Sequence, residues 1–272
     1  MASEAELRRL FALFDARQAS TRALTGARVL ASWDALRSWR NDDIARWAAQ
    51  SAAVVEAGQV ATAATEDAWL AALLSLDAGS TVRPLGVSRA VATGARGVPT
   101  ATVLERAGAR VWRSLANGAP LDVAVAQGRA RAELSVHTDM QLARTHAAGD
   151  VLRRSGDRVV GFRRVLSGSE SCALCIVAST QRYRRGDLLP IHPGCDCGIA
   201  PIVGSSDPGQ VLAPDTLDRL QARIAERFGE TDASGRRVAD FRNLIVTHEH
   251  GELGPVLVRR GDKFTGPDDL DL

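Results

Sequence analysis

All four cysteines of this 272-residue chain lie between Cys172 and Cys197. Links confined to so short a stretch cannot staple distant parts of a chain together, so the residues ahead of Cys172 must be held by a core. Composition says what kind. Apolar residues make up 45% and charged residues 24%, the balance of a soluble globular chain with no compositional support for global disorder. Aromatics are only 4%, five of those twelve side chains are Trp, and Ala carries much of the apolar fraction. Such a chain packs through close helix contacts rather than as a sandwich. The length suits one large domain or two ordinary ones, at ~100–200 residues each.

Charge narrows the function classes. Of 34 basic residues only Lys263 is a lysine, the bias of a high-GC coding sequence. A net charge of +2 is too small for a protein that coats nucleic acid over its whole surface. The charge is uneven, however: residues 78–200 carry 17 basic groups against 9 acidic ones, while both ends are acidic. The amino terminus is acidic where a signal peptide is basic, and no run approaches the ~18 apolar residues of a membrane span. Synthesis in a cytoplasm and no membrane partner are expected.

Helical periodicity dominates the first half. Leu7, Leu10, Phe11 and Phe14 follow the spacing of one buried face, Trp33, Leu36, Ile44 and Trp47 continue it, and Trp69, Leu70, Leu73 and Leu74 form a third stripe. At this spacing the Trp series reads as core. Residues 77–99 concentrate Gly and Pro and read as a connector, separating a helical amino-terminal region, 1–78, from the remainder, 100–272. A further helix is expected with a capping box from Thr102 to Glu105, an apolar row of Leu104, Ala107, Val111 and Leu115, and a stop at Asn117-Gly118. Another runs from Leu121 to about Arg154, with Gly128 and Gly149 as its weak spots.

After residue 155 the texture shortens. Val159 to Leu166 reads as strand, Ser167-Gly168-Ser169 as a turn, and Pro214–Phe228 as a helix stopped by Gly229. Leu244–Thr247 and Val256–Val258 read as two short strands around Gly251 and Gly254, and the last seven residues as loose. The fold class is mainly α with a smaller α+β carboxyl-terminal half, organised around a zinc-knuckle-like Cys/His module.

That module is the chemically informative stretch. Cys172-Ala173-Leu174-Cys175 is followed by sixteen residues and then His192-Pro193-Gly194-Cys195-Asp196-Cys197. Two donor pairs with two-residue gaps, each on a tight turn, can surround one zinc ion. Spacing prefers Cys172, Cys175, His192 and Cys195 as ligands, with Cys197 able to replace His192. Four protein ligands leave no open position for water, which makes the ion structural rather than hydrolytic. Buried thiols, or disulfides between Cys172 and Cys175 or between Cys195 and Cys197, are the alternative state.

The run Gly161-Phe162-Arg163-Arg164-Val165-Leu166, the Cys172/Cys175 pair, Gln181-Arg182-Tyr183, Pro190 to Cys197 and Pro201 resembles the core of MuF-like phage minor head proteins, in their actinobacteriophage form. His250 to Leu257 and Lys263 to Pro267 resemble their carboxyl-terminal region. The likeness covers residues ~155–267. It implies a minor capsid protein that acts in head morphogenesis near the portal, is packaged into the virion, and contacts the portal or major capsid protein.

Two other readings compete. One is a capsid maturation protease or another metal-dependent hydrolase. His248-Glu249-His250 lacks the helical spacing of a zincin and reads as a solvated turn, and no serine sits in a nucleophile-elbow sequence beside His137, His146 or His248. No catalytic residue is assigned, and no small-molecule substrate. The other is a non-specific DNA-binding zinc module. Arg163, Arg164, Arg182, Arg184 and Arg185 flank the knuckles and are candidates for contact with phosphates or a protein partner.

Overall fold

The structure, a computed structural model, describes residues 4–165, 178–179, 181–184, 197–205, 207, 245–250 and 254–259. Among them are five α-helices: α1 (Glu4–Asp34), α2 (Asn41–Ala78), α3 (Arg89–Thr93), α4 (Thr100–Ala116) and α5 (Leu121–Arg154). Five strands follow: β1 (Val159–Val165), β2 (Arg182–Arg184), β3 (Gly198–Val203), β4 (Ile245–His250) and β5 (Gly254–Arg259). The protein is therefore mainly helical with small sheets in its carboxyl-terminal part. No described helix is long and apolar enough to cross a membrane.

One compact unit combines residues 13–69 with 83–151. Residues on both sides of the punctuated stretch 77–99 thus build a single core, drawn from Val29 and Trp33 on α1, Trp47 and Val55 on α2, Leu104 and Val111 on α4, and Val136 and Met140 on α5. Trp33 is fully buried, with its ring centroid 4.8 Å from Trp39 and 4.9 Å from Trp47. Trp69 is buried as well and meets Phe14 at 5.4 Å, so the Trp series is core. Leu7, Leu10, Phe11 and Phe14 are half-buried.

With Ala supplying much of the apolar surface, the helices must approach closely, and glycines mark where they do. A Cβ on Gly128 would stand 2.6 Å from Val111 Cγ2 and 2.7 Å from Trp33 Cζ2, and one on Gly58 would stand 2.4 Å from Thr25 Oγ1. Gly128, which reads from sequence as a weak spot, is the point of contact between α5 and the Trp33 ring.

Helix boundaries correct several sequence expectations. The row from Trp33 to Trp47 is interrupted by a non-helical segment, residues 36–40. Helix α2 begins after it, where the Arg40 carbonyl accepts the Asp43 and Ile44 amides, and Asp42 and Asp43 place negative charge on its first turn. The capping box at Thr102 is not observed. Helix α4 starts three residues earlier, behind Pro99, which presents no side-chain cap. Its stop matches expectation, with Asn117 as C-cap and Gly118 at φ +85°. Between α2 and α4 the connector is pinned. The buried Asp67 carboxylate accepts the Leu85 amide at 3.0 Å and the Gly86 amide at 2.7 Å, and Ser88 caps the short α3.

A second unit contains the described residues of 1–12, 70–82 and 152–272. Its three-stranded antiparallel sheet has the order β2-β1-β3. Gly161, Phe162 and Arg163 oppose Arg184, Tyr183 and Arg182, while Val165 opposes Gly198. A bulge at Val160 shifts the register with β3 and turns that side chain outward. Strands β4 and β5 form a separate antiparallel pair with Val256, Leu257 and Val258 buried. His248-Glu249-His250 is part of β4 and not a turn, because pairing continues through His248 with Val256 and His250 with Gly254. The expected turn at 167–169, the helix at 214–228 and the carboxyl-terminal residues lie outside the described residues.

The close contact at Gly128 can be tested directly. Gly128→Ala gains about 1 kcal/mol of helix propensity but overpacks the Trp33 site at a cost of about 1–3 kcal/mol, so a lower Tm is expected. Gly26→Ala meets nothing within 4 Å and should raise stability by up to about 1 kcal/mol. Equal gains for both would contradict the packing.

Candidate functional site

Of the residues singled out in sequence as a resemblance to phage head proteins, Gly161–Val165, Arg182, Tyr183 and Pro201 lie on the β2-β1-β3 sheet, and the described part of the carboxyl-terminal segment lies on β4 and β5. Phe162 on β1 is fully buried and stacks on its cross-strand partner Tyr183, with centroids 5.0 Å apart and planes 13° from parallel. The Tyr183 hydroxyl donates to the Ala178 carbonyl at 3.0 Å. Ala178 is buried and lies three residues beyond Cys175, so this bond ties the far flank of the first donor pair to β2. Gly161 lets β2 come close: a Cβ there would stand 2.4 Å from the Tyr183 carbonyl oxygen.

The five arginines divide by environment. Arg163 and Arg182 face each other across the β1–β2 ladder, a like-charge pairing that is unfavourable by itself. Asp207 resolves it by accepting from Arg163 through both oxygens, at 2.5 and 2.8 Å, and from Arg182 Nε at 2.5 Å. The Arg163 side chain is 12% exposed and that of Arg182 66%. Arg163 thus fixes Asp207 from inside, while Arg182 extends from the same anchor to the surface. Arg164 is buried, with its guanidinium carbon 5.4 Å from the Tyr183 ring centroid, a cation–π placement. Arg184 is exposed at the edge of the sheet. Arg185 lies outside the described residues. The outward basic surface on this sheet therefore consists of Arg182 and Arg184, whereas Arg163 and Arg164 build the sheet itself. Asp207 went unnoticed in sequence because it is 44 residues from its arginine partner and stands in no motif.

Of the five donors, Cys197 is described and half-buried, immediately ahead of β3. Cys172, Cys175, His192 and Cys195 lie outside the described residues. Among the described residues, no group of three or more His, Cys, Asp or Glu could hold a metal ion. The donor set nevertheless suits zinc, since thiolates with one imidazole are its usual structural ligands. The described flanks are compatible with one centre. Val165, from which the first donor segment departs, is paired with Gly198, to which the second returns.

The hydrolase candidates do not form a described constellation. His137 and His146 are on α5 and His248 is exposed on β4. Burial, with the Arg22 charge second, pushes the His137 imidazole below its ordinary range. No protein-family model, curated protein or solved structure matches the chain.

The Asp207 bridge yields a graded expectation. Asp207→Ala leaves two facing arginines without their shared anion and should lower the unfolding free energy by about 2–3 kcal/mol. Arg184→Ala, on the exposed edge, should change it by less than about 0.5 kcal/mol. Denaturant unfolding of both variants checks the contrast.

Proposed function

We propose that this chain is a structural minor capsid protein of a phage or prophage head, acting in head morphogenesis beside the portal. The observation that carries the reading is that the described residues of the run resembling MuF-like proteins belong to one built unit. Phe162 stacks on Tyr183, Pro201 opposes Phe162, and Arg163 and Arg182 share Asp207. Motif residues that could have been scattered are instead contacts of one small sheet, which supports a scaffold rather than a cleft with reacting groups. The partners on this reading are the portal or major capsid protein, and the protein resides in the virion.

The carboxyl-terminal half is stabilised by a structural zinc ion held by Cys172, Cys175, His192 and Cys195, with Cys197 as alternate. Bound there, the ion supplies cross-linking and no chemistry. The sheet's part is to present the two donor segments from neighbouring strand ends, Val165 and Gly198. Metal analysis of purified protein should find about one zinc per chain. Cys172→Ser should lose that zinc and melt at lower temperature. Unchanged metal content and melting, or a thiol count showing oxidised pairs, would contradict the site.

The placement of Arg182 and Arg184 favours a second, compatible role in contacting packaged DNA through its phosphates. Such binding ignores base sequence and weakens steeply with salt. Replacing both arginines by Ala should reduce the slope of log K against log salt by about two. No binding of a random duplex at low salt would remove this role. A capsid protease remains distinguishable by autocleavage that a chelator abolishes.

A further inference from the structure

We propose that Glu66 is held as the neutral acid inside the helical unit, donating its Oε1 proton to the Gln18 amide oxygen, and that this proton latches α1 against α2. Glu66 sits on α2 with its side chain 1% exposed. Every donor that reaches it goes to Oε2: Arg144 Nε from α5 at 2.8 Å and Gln18 Nε2 from α1 at 3.4 Å. Oε1 is buried and accepts nothing, and the side-chain amide oxygen of Gln18, also buried, likewise accepts nothing. Two orphan acceptors thus belong to two groups already joined by one hydrogen bond. An ionised carboxylate leaves both unsatisfied, which is costly in a dry interior. One proton on Oε1 satisfies both and closes a cyclic acid–amide pair, with Gln18 Nε2 also anchored on the Thr62 carbonyl at 3.1 Å.

The charged neighbours accommodate a neutral Glu66. Arg144 retains its bond to Oε2, now the carbonyl oxygen of the acid, and has Asp15 on α1 as counter-charge at 3.9 Å. Arg22 on α1 also feels the Asp15 charge. Burial is the largest influence on Glu66 and pushes its carboxyl above the ordinary range, against the opposing pull of Arg144. His137 on α5 is pushed the other way.

The two groups respond to opposite directions of pH change. A carboxyl raised by folding contributes stability that is fully present below its unfolded pKa and is lost as pH rises through its folded value. A histidine lowered by folding costs stability only as pH falls through its unfolded range. Loosening as pH rises therefore reports Glu66.

The test is a carbon-13 NMR titration of the Glu66 carboxyl in the full chain, together with amide-exchange protection factors along residues 15–22. The resonance is expected to stay at the acid position at pH values where solvent-exposed carboxylates are ionised. Protection in residues 15–22 should fall as the resonance moves. Glu66→Gln, which keeps both hydrogen bonds without a titrating group, should hold its protection across the same range. A Glu66 resonance already at the carboxylate position in the ordinary glutamate range would overturn the proposal and leave a conventional ion pair with Arg144. Parallel protection profiles for wild type and Glu66→Gln would overturn the latch. The carboxyl titration is made on the wild-type chain, so it decides the protonation state even if the variant folds poorly.

Discussion

The helical unit depends on how closely its helices can approach one another around Trp33. A chain in which Ala carries much of the apolar fraction has little side-chain bulk with which to fill a wide interhelical gap, so contact must come from short axial separation. Gly128 and Gly58 allow that approach, and the indole of Trp33 fills the space where α1, α2, α4 and α5 meet. The glycines cost helix propensity, and the contacts they permit offset it. This arrangement also brings polar side chains such as Gln18, Glu66 and Arg144 together in the interior, because helices this close leave little room for water between them.

The sheet follows a different logic. Its stability rests on side chains that neutralise one another's disadvantages. A buried arginine is tolerable beside the face of Tyr183, and two opposed arginines are tolerable around one carboxylate. An apolar substitute could fill the same volume, but charged groups fixed by directional bonds also set strand register, since a slip of one residue would separate Arg163 and Arg182 from Asp207. A sheet with a well-defined register is a suitable frame for the two segments proposed to carry zinc donors.

Sequence patterns disclosed the elements better than the contacts between them. The α5 limits at Leu121 and Arg154 were readable from a proline-free run, the end of α4 from Asn117-Gly118, and β1 and the β4–β5 pair from short apolar runs between glycines and polar residues. Propensity hides what distance determines. Gly128 reads as a defect until Trp33 is seen beside it, and Glu66 stands in no motif that would single it out. His248-Glu249-His250 reads as a turn because polar residues dominate it, although ladder pairing carries it into a strand. At the site, the arginines were legible as a cluster, but burial of Arg164 and the role of Asp207 depend on chain reversals that no local pattern records.

The Asp67 clamp has a consequence for how this chain can vary. Its carboxylate recognises main-chain amides at positions 85 and 86 and no side chain there. Leu85 is partly exposed and is free to be exchanged for almost any residue that keeps an N–H. Proline lacks one, and so the imino acid that the chain accepts at Pro84 is barred one step later, at a position whose side chain otherwise counts for little.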